Sequence, residues 1–184
     1  MQPSPLNVAN GLTMARIACT PFVVLAALAT PEGSILVGAF FALLALSDVA
    51  DGYLARSRHL VTTLGKLLDP MADKLLIGGA LLALVATERL PLAIALVILS
   101  RELMVSALRH VAYREGIVIS AGPLGKAKMG LQVAMVLALL AFGYSDAAWL
   151  QLLILATVAM TLWSGLSYFA SLPRARALRP DASA

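Results

Sequence analysis

Asp48, Asp51, Asp69 and Asp73 are four of the chain's ten acidic residues, and they fall within one stretch, "SDVADGYLARSRHLVTTLGKLLDPMADK", flanked by nearly pure apolar runs. Three residues separate Asp48 from Asp51, about 60° around a helix, and four separate Asp69 from Asp73, about 40°. Each pair therefore shares one helix face. The connection between the two helices is short, so they are expected to be antiparallel neighbours whose four carboxylates converge on one point. Left unpaired, carboxylates held together at the edge of a bilayer repel one another and are poorly hydrated. Arg56 and Lys74 are too few to neutralise four acids and a phosphorylated ligand as well. Divalent cations solve the problem: hard oxygen donors suit Mg²⁺ or Mn²⁺, and two ions can share bridging carboxylates. No histidine or cysteine accompanies the cluster, which argues against zinc.

The residues between the aspartates fit a bound polar ligand. Gly52 and Ala55 share the face of Asp48 and Asp51, and Gly65 precedes Asp69 by one turn. Small side chains let a bulky ligand approach the backbone. Arg56, one turn after Gly52, presents a planar fork suited to phosphate. Plainer readings stand beside these. Asp69-Pro70 has the form of a helix N-cap followed by proline at the first helical position. Gly52 and Gly65 also suit helix packing, and paired carboxylates inside a membrane suit a proton relay or ion path.

The elements that must carry these residues follow from composition. With 60% hydrophobic and 13% charged residues in a 184-residue chain, and a mean hydropathy of +0.89, a water-soluble globule is excluded in favour of an all-α integral membrane protein. A span needs roughly 20 residues to cross about 30 Å of hydrocarbon. Six are expected, at about 11–30, 34–56, 68–87, 91–112, 126–144 and 147–170, with breaks at "TPEGS", "TERLP", "REGIVISAGPLGK" and "GYSDAA". Arg16 interrupts the first span, and "PLNVANGLT" before it suits a short interfacial helix. The opening residues lack the basic start and cleavage site of a secretory signal, so the first span is expected to stay in the mature protein. The connections at 30–34, 87–90 and 143–148 hold only Arg89 among basic residues, whereas the other side collects Arg56, Arg58, Lys66, Arg109, Arg114, Lys126 and Lys128. The positive-inside rule makes that second side cytoplasmic, with both termini and all four aspartates on it. Residues 1–173 read as one membrane domain and 174–184 as a loose basic cytoplasmic tail. The net charge of +4 is thus a matter of topology, and no nucleic-acid partner is expected. Cys19 is the single cysteine and reads as a packing residue, as does Trp163, while Trp149 reads as an interfacial anchor.

The pattern Asp48-x2-Asp51-Gly52-x2-Ala55-Arg56-x8-Gly65-x3-Asp69-x3-Asp73 resembles, without departure, the signature of the CDP-alcohol phosphatidyltransferase family. The length and the span layout agree with that family over nearly the whole chain. The resemblance implies a homodimeric six-helix membrane fold, a cytoplasmic site for two metal ions and a CDP-linked lipid donor, CDP-diacylglycerol. It further implies that Asp48, Asp51 and Asp69 coordinate metal, and that Asp73 both coordinates and serves as base. Gly52 and Arg56 are then expected at the donor's diphosphate and Gly65 beside the cytidine, with Thr62 a further donor contact. Within the family, "NGLTMARI", "DGYLAR", "LLDPMADKLL", "SRELMVSALR" and "GKAKM" are most similar to members that use sn-glycerol 3-phosphate as acceptor, in a bacterial inner membrane. Asn10 and Thr13, one turn apart, look like donor-binding residues, with helix capping as the alternative.

Charge points to the same acceptor. An anionic alcohol needs cations beyond the metals, and Arg101 and Arg109 lie eight residues apart on one helix face, with Lys126 and Lys128 opening the next span. Arg101-Glu102 deep in an apolar span is costly unless it is functional or mutually satisfied. A buried ion pair with ordinary flanking charges is the plainer account. Inositol alone would not demand so many cations, although an inositol phosphate would. Phosphatidylglycerol, inositol phosphate or serine remain alternative acceptors. A small cation transporter is the alternative from another class; it predicts acids spread through several spans at mid-depth, whereas the aspartates cluster at one face. His59 and His110 lack partners at ligand spacing.

Overall fold

The computed structural model describes the backbone of residues 8–57, 63–115 and 123–177, and the side chains of residues 10–47, 68–115 and 124–170. These residues form six helices: α1 (Val8–Ala29), α2 (Ile35–Ser57), α3 (Thr63–Ala86), α4 (Leu92–Arg114), α5 (Pro123–Phe142) and α6 (Ala148–Ala177). Apolar runs of this length leave no backbone group unsatisfied only as helices. Three stretches, Asn10–Ala29, Leu124–Phe142 and Ala148–Ala170, are long and apolar enough by length and composition to cross a membrane, and Ile35–Ser47 is a shorter apolar helix. In α3 and α4 the charges of Asp69, Asp73 and Lys74, and of Arg101, Glu102 and Arg109, interrupt the apolar run.

The surface is far more apolar than a soluble protein's, and the interior holds charges. Arg16 and Arg89 are among the most deeply buried residues, while Leu36 is 81% exposed and Phe22, Leu43, Leu152 and Leu166 also face outward. Such a surface is at home in hydrocarbon, and the interior is where charges find partners. Trp163 faces outward too, which corrects its reading as a packing residue; Cys19 is only half-buried.

The chain divides into two compact units, residues 1–91 with 136–146 and residues 92–135 with 147–184. In the first, α1 packs against both α2 and α3, more extensively than those two pack on each other among the described residues. Ala72, Leu76, Ala80 and Leu84 recur every fourth residue on the buried face of α3, and Val23 and Ala27 of α1 and Phe41 of α2 are wholly buried with them. At one end of this unit three connections meet. The buried Arg89 donates through Nη2 to the carbonyls of Ala27 and Thr30 (both 2.6 Å), through Nη1 to that of Leu139 (3.2 Å) and through Nε to Thr87 Oγ1 (3.0 Å). A cation there satisfies the last carbonyls of α1 and α5 and complements their helix dipoles. Burial pushes the Arg89 pKa below the ordinary arginine value, with the Glu32 carboxylate opposing that shift. Beside it, Gly33 (φ +96°) and Gly143 (φ +70°) meet so closely that a Cβ on Gly33 would strike the Gly143 nitrogen. Only glycine fits both the left-handed backbone and the gap.

In the second unit α4 packs on α6. The α5 helix contributes Pro123–Met135 to this unit and its later part to the other. Two boundaries differ from the sequence expectation. Thr63 begins α3, so Pro70 lies well inside the helix and the Asp69-Pro70 capping reading fails. The α6 helix continues to Ala177, four residues into the expected tail. Of the expected N-terminal interfacial segment, residues 8–10 are already α1; residues 1–7 lie outside the described ones.

Candidate active site

The α1 helix carries a buried polar stripe, Asn10, Thr13, Arg16 and Thr20. Steps of three, three and four residues keep these side chains on one face, turned toward α2 and α3. Opposite them, Asp69 and Asp73 project from one face of α3, both half-buried. Thr13 Oγ1 donates to Asp69 Oδ1 at 2.8 Å. Arg16, whose side chain is wholly buried, forms an ion pair from Nη1 to Asp73 Oδ1 at 3.5 Å. Its Nε and Nη2 each lie 3.4 Å from Ser47 Oγ on α2, and Ser47 donates in turn to the Leu44 carbonyl at 2.8 Å. Thr20 Oγ1 donates back to the Arg16 carbonyl at 2.9 Å. One arginine therefore ties three helices together at the point where the aspartate motif begins.

Asp48, Asp51, Gly52 and Arg56 lie in the last part of α2 and Gly65 in the first turn of α3, all with side-chain positions outside the described residues, as is Thr62 altogether. Among the described residues no group of three or more histidine, cysteine or acidic side chains gathers at metal-binding distance. Among the described residues, Asp69 and Asp73 place two hard carboxylate donors on a single face. With Thr13 giving only a neutral hydroxyl to one oxygen of Asp69, that donor set fits Mg²⁺ or Mn²⁺ rather than a softer ion. Thr13 sits at the sixth residue of α1 and bonds α3, so it does not cap the helix. The sequence signal for Arg16 was its place in the three-and-four-residue polar stripe, although read alone it only weakened a span.

A second polar cluster occupies the other unit. Glu102 Oε1 pairs with both Arg101 Nη1, at 3.5 Å, and Lys128 Nζ from α5. Arg101 Nη2 donates to Ser164 Oγ on α6 at 2.9 Å. A Cβ on Gly165 would sit 3.4 Å from Arg101 Cγ, an ordinary van der Waals contact, so α6 runs close against the Arg101 stem. Two turns further along α4, the Arg109 guanidinium lies 5.7 Å from the centroid of the Tyr168 ring, within cation–π range. Arg101 Nε is buried without a hydrogen-bond partner among the described residues. Three of the four expected acceptor-binding cations, Arg101, Arg109 and Lys128, thus share one neighbourhood, while Lys126 is exposed and joins none of these contacts. Ser164, Gly165 and Tyr168 were not anticipated. Their signal was a run of small and polar residues, with Thr157 and Thr161, at helical spacing in an apolar span.

A family model described as CDP-alcohol phosphatidyltransferase matches residues 6–163. The chain belongs to the CDP-alcohol phosphatidyltransferase family. The matched segment contains every position of the aspartate motif, the α1 stripe and the four cations; Ser164 and Tyr168 lie just beyond its end. Among members of the family, the chain is 36% identical over 186 residues to the CDP-diacylglycerol–glycerol-3-phosphate 3-phosphatidyltransferase of Bacillus subtilis (strain 168), covering 89% of this chain and 93% of that one. It is 36% identical over 169 residues to the protein of the same name from Rickettsia bellii (strain RML369-C), with the same coverage. It is 35% identical over 179 residues to a probable phosphatidylglycerophosphate synthase of Mycobacterium tuberculosis (strain CDC 1551 / Oshkosh), covering 94% of this chain and 82% of that one. As a CDP-alcohol phosphatidyltransferase, it is a membrane-type all-helical member in which α1 braces the motif carboxylates Asp69 and Asp73.

Proposed function

We propose that the protein transfers the phosphatidyl group of CDP-diacylglycerol to the 1-hydroxyl of sn-glycerol 3-phosphate, releasing CMP and forming phosphatidylglycerol phosphate. The observation that carries this reading is the agreement of relatives matched along nine-tenths of the chain, each named for that transfer. The cationic cluster of α4, α5 and α6 supports it, because the proposed acceptor is an anion.

In this reading Asp48, Asp51, Asp69 and Asp73 hold two divalent ions, Mg²⁺ or Mn²⁺. Such ions, when bound, draw charge from the diphosphate and stabilise the departing CMP. Asp73 accepts the proton of the glycerol 1-hydroxyl. The freed oxygen forms the new bond to the phosphorus that carries diacylglycerol, and the bond from that phosphorus to the CMP oxygen breaks, its electron pair leaving with CMP. Thr13 orients Asp69 and Arg16 orients Asp73. Asn10, Thr13, Gly52, Arg56, Thr62 and Gly65 bind the donor, and Arg101, Arg109, Lys126 and Lys128 bind the acceptor's phosphate. Little covalent work falls to the protein; positioning and electrostatics carry the rate. The chain spans a bacterial inner membrane six times, as a homodimer with both termini cytoplasmic.

CMP release from CDP-diacylglycerol by the purified protein tests this directly. It is expected with sn-glycerol 3-phosphate and absent with phosphatidylglycerol, inositol phosphate or serine. Release with one of those in its place would assign the chain to another member activity.

A further inference from the structure

We propose that Glu102 is a positioning residue that tunes the acceptor site to a phosphate monoester, an inference that rests on the cluster around Arg101 being that site. Its carboxylate looks out of place beside the helix it lies on, since a charge midway along an apolar helix is expensive. Neutralising Arg101 alone would not require sharing. Yet a single oxygen, Oε1, pairs with Arg101 on its own helix and with Lys128 on α5. Glu102 therefore fixes the spacing of two cations from two helices. Ser164 holds Arg101 from the third side, and Gly165 lies close against its stem. What remains unused is the buried Arg101 Nε, an N–H without an acceptor among the described residues, beside Arg101, Glu102 and Lys128 side chains that are between 6% and 25% exposed.

The charge of the cluster carries the specificity. With Lys126 exposed and outside these contacts, Arg101, Arg109 and Lys128 are three cations and Glu102 one carboxylate, which leaves two positive charges. A phosphate monoester brings about −1.5 to −2 at neutral pH, and so comes close to cancelling them. A phosphodiester headgroup brings one negative charge, and a zwitterion such as serine none, so each would leave cations uncompensated in a poorly solvated place. Without Glu102 a third cation would be unmatched and the two basic side chains would repel each other.

Charge and positioning predict opposite signs for Glu102→Gln, which makes the test sharp. If Glu102 only lowered the net charge, its removal would tighten anion binding. If it positions the two cations, removal weakens binding, because the acceptor must then order them itself. The experiment measures CMP release by Glu102→Gln, Glu102→Asp, Arg101→Gln and Lys128→Met against varied sn-glycerol 3-phosphate and, separately, varied CDP-diacylglycerol, with inorganic phosphate as competing anion. Glu102→Gln is expected to raise KM for sn-glycerol 3-phosphate, and the inhibition constant of inorganic phosphate, about ten-fold or more, with donor KM and kcat within about two-fold. Glu102→Asp should recover part of the loss. Should Glu102→Gln not be isolated folded, Glu102→Asp decides alone, since its shorter reach must raise both constants in the same direction. Acceptor KM and phosphate inhibition that stay constant or improve on changing Glu102, while Arg101→Gln and Lys128→Met weaken both, would overturn the role of Glu102. Constants unmoved by Arg101→Gln and Lys128→Met would instead remove the acceptor site on which the inference rests.

Discussion

Asp69 and Asp73 stand one turn apart on the same helix, yet α1 treats them differently. Asp69 receives a neutral hydroxyl from Thr13, whereas Asp73 faces the buried guanidinium of Arg16. A neutral donor orients a carboxylate while leaving its charge for a cation, which suits a metal ligand. A charged, rigid partner fixes direction more strongly, which suits a group that must take a proton from one defined place. Asp73→Asn keeps the shape and removes the proposed base: CDP-diacylglycerol binding should be retained, and CMP formation should fall by roughly 10²–10⁴-fold. Equilibrium donor binding beside turnover in the purified variant checks this, and full turnover would remove Asp73 as base. Thr13→Val removes one hydrogen bond to a charged acceptor, worth about 1.5–3 kcal/mol. The Mg²⁺ or Mn²⁺ concentration for half-maximal CMP release should therefore rise about ten-fold or more, while excess chelator abolishes release from either form until metal is restored.

At the scale of elements, the six helices were legible because each apolar run is bounded by proline, glycine or charge. The α5 and α6 starts, for instance, fall within three residues of the expected ones. The less legible features depend on partners far along the chain. Arg16 reads as a flaw in a span until Asp73, fifty-seven positions later, is brought beside it. Arg89 reads as a stray base on the low-charge side, but its partners are carbonyls of α1 and α5, which no side-chain pattern encodes. Its removal takes three hydrogen bonds from buried carbonyls, of which those of Thr30 and Leu139 keep only their bonds from the Gly33 and Gly143 amides. Arg89→Ala should cost about 3 kcal/mol or more, lowering the thermal unfolding midpoint in detergent by roughly 6–12 °C, with acceptor and donor KM unchanged in the protein that remains folded. The neighbouring Glu88 works the other way. It holds φ at 58° just past the end of α3, where the backbone favours glycine, and it is exposed. Glu88→Gly should relieve about 1 kcal/mol and raise the same midpoint by roughly 2–4 °C. Two changes one residue apart with opposite signs separate a buried cap from a strained turn.

For the whole molecule, the open matter is whether α4 crosses the membrane despite Arg101, Glu102 and Arg109. Its 23 residues give about 35 Å of helix, enough to span; Arg101 and Glu102 are satisfied by Ser164 and Lys128, and the exposed Arg109 lies over the Tyr168 ring near the helix end. Burial of Arg89 also leaves the connections at 30–34, 87–90 and 143–148 without an exposed base, as the proposed orientation requires of its outer side. Glu88 and Arg114, both exposed, flank the two ends of α4. With Cys19, the single cysteine, changed to serine, a cysteine at position 88 should react with a membrane-impermeant maleimide on intact cells. A cysteine at position 114 should react only after the membrane is opened. Equal labelling of both from outside would mean that α4 does not span. Labelling of 114 alone would invert the molecule and put the aspartates, together with the CDP-lipid they are proposed to bind, on the wrong side for a cytoplasmic supply of nucleotide and acceptor.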